Sequence, residues 1–146
     1  MSEEEYHKII SRFIKDEWLP LLNLIPYIEN TKEFCTLRIC IEQREGVYQE
    51  DYVEPAEVVL EFCRRVQRMN LILNFDWAHW NEGRKIVRTR NFDYDTIDIP
   101  TKCKIITAIV RNDRYCTGAL VFAFESGLIL KILKSIERQV SSIHSN

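Results

Sequence analysis

The hydrophobic period changes twice along this chain, and that change limits the fold more than any other feature. From Glu3 to Ile25 the apolar residues Tyr6, Ile9, Ile10, Phe13, Trp18, Leu21, Leu22 and Ile25 recur at threes and fours, the spacing of an amphipathic helix. Pro20 is expected to kink that helix and Pro26 to end it, since proline has no amide proton to donate. Between Phe34 and Glu42 the period falls to two. Cys35, Leu37, Ile39 and Ile41 alternate with Thr36, Arg38, Cys40 and Glu42, which predicts a half-buried strand. Glu45-Gly46 supplies a turn and Val47 to Val53 the return strand. An isolated hairpin is marginally stable, so this one must pack on helices.

Helical spacing then resumes. Pro55 is expected at the first position of a helix whose buried stripe is Val59, Phe62, Cys63 and Val66. A short link, Asn70 to Asn74, precedes a segment in which Trp77, Trp80, Arg84 and Val87 share one helical face. Asn91 to Ile99 has no period and reads as a loop. Thr101 is the expected cap of a helix carrying Ile105, Ile106, Ile109 and Val110. Thr117 to Glu125 is apolar nearly all round and is expected to be central. Gly127 breaks the path before a last helix with Ile129, Ile132, Leu133, Ile136 and Val140 inside. Without repeats or linkers, the 146 residues read as one domain, 1–146, of helix-dominated α+β class with a two-stranded antiparallel hairpin near residues 34–53.

Composition then removes function classes. With 46% hydrophobic and 29% charged residues the chain has the balance of a globular domain, not a disordered one. The acidic start Ser2-Glu3-Glu4-Glu5 is unlike a targeting segment. The most apolar stretch, Ala119 to Leu133, is interrupted by Glu125, Ser126, Gly127 and Lys131 and is too short to span a bilayer, so no membrane partner is expected. Five cysteines, an odd number with no C-x-x-C pair, suit reduced thiols in a cytoplasmic protein. His7, His79 and His144 form no ligand pair, and Asp93-x-Asp95-x-x-Asp98 lacks the glycine and final glutamate of a calcium loop, so neither metal nor cofactor is expected. G-x-S-x-G, P-loop and G-x-G-x-x-G patterns are absent.

Charge is unevenly placed. Residues 1–54 carry a balance of −6 and residues 55–146 one of +4, summing to −2. Seven basic residues (Arg64, Arg65, Arg68, Arg84, Lys85, Arg88, Arg90) face only Asp76 and Glu82 between positions 64 and 90, a candidate polyanion surface. Two smaller clusters carry the candidate chemistry. In Phe75-Asp76-Trp77-x-x-Trp80, two indoles and a carboxylate can hold a flat or cationic ligand. Alternatively Asp76 caps a helix while Phe75 and Trp80 form its hydrophobic staple. In Arg111-Asn112-Asp113-Arg114-Tyr115-Cys116, two guanidiniums can clamp a phosphate or carboxylate. There the structural alternative is Asp113 capping the next helix, with Arg114 paired to Asp113 or Glu125.

These motifs, in the order Phe75-Asp76-Trp77-x-x-Trp80, Val110-Arg111-x-Asp113-Arg114-Tyr115-Cys116-x-Gly118-Ala119-Leu120 and Glu125-Ser126-Gly127-x-x-x-x-Ile132-Leu133, resemble those of a prokaryotic family known as a domain of unknown function. The likeness covers roughly residues 47–137, with Tyr52, Glu57, Val58 and Phe62 upstream. Tyr115 stands where that family has phenylalanine, and Ala78-His79 where proline and an acid are usual. The resemblance implies a stand-alone cytosolic domain and no activity.

The expected function is a small binding or interaction module with ligand-binding candidates Asp76, Trp77, Trp80, Arg111, Asp113, Arg114, Tyr115 and Glu125. Its partner is a small molecule or a protein, with a homodimer left open and nucleic acid not favoured. Two alternatives stand beside it: a polyanion binder using Arg64 to Arg90, and an enzyme on a small anionic substrate with Asp113 or Glu125 as acid–base.

Overall fold

The computed structural model describes residues 1–38, 42–48, 52–114 and 118–144. The first helical stretch is three helices: α1 (Glu3–Ser11), α2 (Lys15–Leu22) and α3 (Leu24–Glu29). The break falls at 12–14 and not at Pro20. There Ile14 is extended, and its N–H donates to Glu17 Oε1 at 3.2 Å. The break turns Phe13 onto Trp18, with ring centroids 5.1 Å apart. Pro20 is accommodated inside α2, and Pro26 lies in the first turn of α3, where an amide would have no helical acceptor.

β1 (Cys35–Arg38), β2 (Glu42–Arg44), β3 (Val47–Tyr48) and β4 (Tyr52–Pro55) form two antiparallel ladders. Cys35 faces Pro55 and Arg38 faces Tyr52 in one, while Glu42 faces Tyr48 in the other. This is the expected hairpin, with Gly46 at φ +76° in its turn. The predicted strand positions 39–41 and 49–51 lie outside the described residues. Pro55 closes β4 instead of opening a helix. Ala56, whose N–H donates to Phe34 O at 2.8 Å, is the cap of α4 (Glu57–Arg68).

After α4, Asn70 takes φ +58° and the chain runs extended through the core. Leu71 and Leu73 are buried, so the expected link is an inner strut. Its backbone is held by side chains. Tyr6 Oη and Thr107 Oγ1 donate to Leu71 O at 2.6 and 3.1 Å, and Leu73 N donates to Thr107 Oγ1 at 3.2 Å. A buried segment outside any sheet needs such partners.

A 3₁₀ turn (Trp77–His79) and α5 (Asn81–Arg88) follow, then a second 3₁₀ turn (Tyr94–Thr96) inside the expected loop. α6 (Ile99–Asn112) is capped by Asp98, whose Oδ1 accepts from Thr101 N at 2.9 Å. Thr101 is therefore the capped residue and not the cap. Gly118, at φ +88°, leads into α7 (Ala119–Glu125) and Gly127, at φ +82°, into α8 (Leu128–His144).

α8 packs on α2, α3, α6 and α7, and α6 packs on α1, α5 and α7. Ile105 and Ile106 of α6 and Ile129, Ile132, Leu133 and Ile136 of α8 are fully buried. At about 1.5–3 kcal/mol for each such side chain, this pair of helices anchors the core. α7 is less central than its composition suggests. Leu120, Val121, Ala123 and Phe124 are buried, but Phe122 is 69% exposed.

Candidate functional site

The aromatic motif is rigid because several interactions converge on Trp80. Phe75 meets its ring edge-to-face at 5.6 Å, although the helix that a staple would fix does not start at Asp76. Lys104 Nζ lies 4.5 Å from the Trp80 centroid and 4.9 Å from that of Phe75, and is itself held by Glu3 Oε1 at 2.6 Å. Gly83 packs so closely that a Cβ there would stand 2.3 Å from the indole. Trp80 is thus a fixed wall. Asp76 does not cap α5. Its carboxylate bonds His79 Nδ1 at 2.9 Å, and α5 begins only at Asn81, since Trp80 adopts φ −82° and ψ +83°.

In the second motif Asp113 is committed to structure. Its Oδ1 accepts from Leu120 N, in the first turn of α7, at 3.0 Å and so caps that helix. Glycine at the cap position has no side-chain acceptor of its own. Arg111, half-buried at the end of α6, and Arg114, exposed just beyond it, have no ion-pair partner among the described residues. Tyr115 lies outside the described residues.

Three adjoining clefts carry these groups. The first, about 390 Å³, is lined by Leu73, Asn74, Phe75, Trp77, Arg111 and Arg114. The second, about 260 Å³, runs between α5 and α6 and includes Trp77, Trp80, Arg84, Arg88, Ile105 and Ile109. A third, about 750 Å³, continues from it past Val87, Arg88, Ile109 and Asn112 to α7 and α8. Trp77 joins the first two. Among the described residues no aspartate or glutamate lines any of the three.

Of the residues singled out from the sequence, Trp77, Arg111 and Arg114 therefore meet in one cleft, and Trp80 shares the next with Trp77. Asp76, Asp113 and Glu125 line none of them. Neither carboxylate offered as an acid–base group lines the cleft of the arginines. The four residues expected on one helical face, Trp77, Trp80, Arg84 and Val87, do line one cleft, although only the last two are in α5.

The basic stretch is divided. Arg64 bonds Glu57 and Glu61 at 2.8 and 2.9 Å, and Arg65 bonds Glu61 at 2.9 Å. On the other helix Arg84 and Arg88 face the groove. The acids of the loop are likewise occupied. Asp95 pairs with Arg138 at 3.0 Å and accepts from Ser135 at 2.5 Å, Asp93 accepts from Asp95 N, and Asp98 caps α6. Among the described residues no cluster of ligands suits a metal ion. Cys103 is buried and Cys35 and Cys63 half-buried, all three as free thiols, while Cys40 and Cys116 lie outside the described residues.

Sequence reasoning placed Arg84 with the tryptophans but missed Arg88 beside them, and missed the third groove altogether. The i, i+4 spacing of Arg88 from Arg84 was the available signal.

The structure defines a helix-dominated α+β domain with a basic, aromatic groove along α5 and α6. Its sequence belongs to the family of unknown function DUF6508, the match covering residues 13–142. No curated protein and no solved structure matches the chain. Among the described residues no helix is long and apolar enough to cross a membrane.

Proposed function

We propose that the protein is a small binding module whose ligand is an anion with a flat or apolar portion, held at the cleft where Trp77 meets Arg111 and Arg114. The observation that carries this reading is that both arginines line one cleft in which, among the described residues, no carboxylate joins them. Arginine presents a planar fork of donors that matches carboxylate or phosphate oxygens. A flat group on the ligand would lie toward Trp77 and the second cleft. Trp80, pinned by Lys104, Phe75 and Gly83, shapes that cleft without having to move.

A thermal-shift screen with carboxylates, phosphates and nucleotides tests the reading. At least one class is expected to raise the melting temperature of the wild type and to lose most of that effect in Arg111→Ala. No stabilisation by any class, with both proteins folded, would reduce the arginines to scaffold.

A second reading draws on the division of the basic stretch. Arg84, Arg88 and Arg90 lie along the continuing groove, and a polyanionic strand could follow them. It requires salt-dependent retention on a DNA or heparin column. Elution at low salt, as expected for a chain of pI about 6.0, would leave the small anion as the only reading.

A further inference from the structure

The third and largest groove contains none of the seven described residues among the ligand-binding candidates Asp76, Trp77, Trp80, Arg111, Asp113, Arg114 and Glu125. Its walls include Phe92, Ile109, Ala123 and Leu128, and the exposed ring of Phe122 forms its lip. Arg88, Arg90 and Lys131 also line it, and none has an ion-pair partner among the described residues.

One polar group sits deeper. Tyr94 is only 6% exposed and packs edge-to-face on Phe92, with centroids 5.0 Å apart. Its side chain lines the groove, and its hydroxyl has no hydrogen-bond partner among the described residues. No fully buried side-chain nitrogen or oxygen among the described residues lacks a partner, so this hydroxyl keeps contact with solvent, where a ligand in the groove can accept from it. Burial also raises its pKa, so it stays a protonated donor at neutral pH.

We propose that this groove binds an anionic amphiphile, an apolar body ending in one carboxylate or phosphate, which accepts from the Tyr94 hydroxyl and faces Arg88, Arg90 and Lys131. Three features select that class over others. The walls are apolar enough to hold a hydrocarbon or ring system. Among the described residues the charged lining is entirely positive, which rejects cations. The volume falls in the range of about 300–1,000 Å³ typical of small-molecule sites. The site goes beyond the module proposed above, sharing Val87, Arg88, Ile109 and Asn112 with the central cleft but neither Arg111 nor Arg114.

Isothermal titration with decanoate and decyl phosphate below their micellar concentrations tests it, with decanol as the uncharged control. Saturable binding of one molecule per chain is expected for at least one anion, and about tenfold weaker binding for decanol. Tyr94→Phe, which keeps the ring and so the packing, should weaken the anion about tenfold. The double variant Arg90→Ala/Lys131→Ala should do the same, whereas Lys32→Ala, an exposed basic residue outside all three clefts, should bind as the wild type does. The proposal is overturned by the absence of saturable uptake, or by equal affinity in wild type, Tyr94→Phe and the double variant. It is also overturned if light scattering shows a dimer that Phe122→Glu dissociates and that excludes the anions, for then the groove is filled by a second copy.

Discussion

At the scale of single residues, two positions have effects opposite to what their residue type suggests. A helical glycine replaced by alanine ordinarily gains about 0.5–1 kcal/mol. Gly83 is the exception, because the added methyl would meet the Trp80 ring at 2.3 Å, and that ring is held by Phe75 and Lys104. Gly83→Ala is expected to destabilise by about 1–3 kcal/mol in urea denaturation, as overpacking does. A gain in stability would show that Trp80 is free to move. Lys102 is the other. It is fully buried against Gln139, and burial lowers its pKa from 10.5 to about 8. Between those values the unfolded chain binds more protons than the folded one, so this residue makes stability rise with pH. Cys63 and Cys103, raised by burial from 9.0 to about 11 and about 12, act in the opposite direction above pH 9. The rise is therefore confined to about pH 8–9, and Lys102→Met should flatten it. Parallel curves for the two proteins would show that Lys102 is not the cause.

At the scale of elements, the change of hydrophobic period separated helix from strand correctly, because burial of one face imposes that period on the sequence. Boundaries were less legible. The break at 12–14 depends on Phe13 reaching Trp18, a tertiary contact with no local signature. The start of α5 was misplaced because Asp76 has a closer partner in His79 than in the helix amides. Pro55 was expected to open a helix, but its pairing with Cys35 ends a strand there instead, a tertiary contact that no local spacing announces. The Asp113 cap was readable as an alternative, since an aspartate ahead of an apolar helix needs no ligand to explain it. It yields a direct prediction: Asp113→Ala should lower stability by about 1 kcal/mol in chemical denaturation while leaving α-helical circular dichroism nearly unchanged. An unchanged midpoint would mean that Leu120 N finds another acceptor.

At the scale of the whole molecule, the charge asymmetry resolves into two parts. Some of it closes the fold, as acids of the N-terminal helices reach basic residues of the later ones: Glu3 meets Lys104 and Glu29 meets Lys134. Six further basic residues, Arg84, Arg88, Arg90, Arg111, Arg114 and Lys131, line the three adjoining clefts, where no carboxylate among the described residues joins them. On α4, by contrast, Arg64 and Arg65 are paired with glutamates of their own helix. The sequence offered the ingredients of the central cleft, Trp77 with Arg111 and Arg114. Their convergence depends on the strut at Leu71–Leu73 carrying the aromatic turn against the end of α6, which no spacing rule contains.

The central claim is that Arg111 and Arg114 act together on one anion beside Trp77. Calorimetric titration of a mononucleotide into wild type and into Arg111→Ala/Arg114→Ala tests it most directly, the nucleotide supplying a phosphate and a flat base in one probe. The account predicts a single saturable site in the wild type, weakened at least tenfold in the double variant and progressively by salt. Equal affinity in the two folded proteins, or no saturable heat in either, would contradict it.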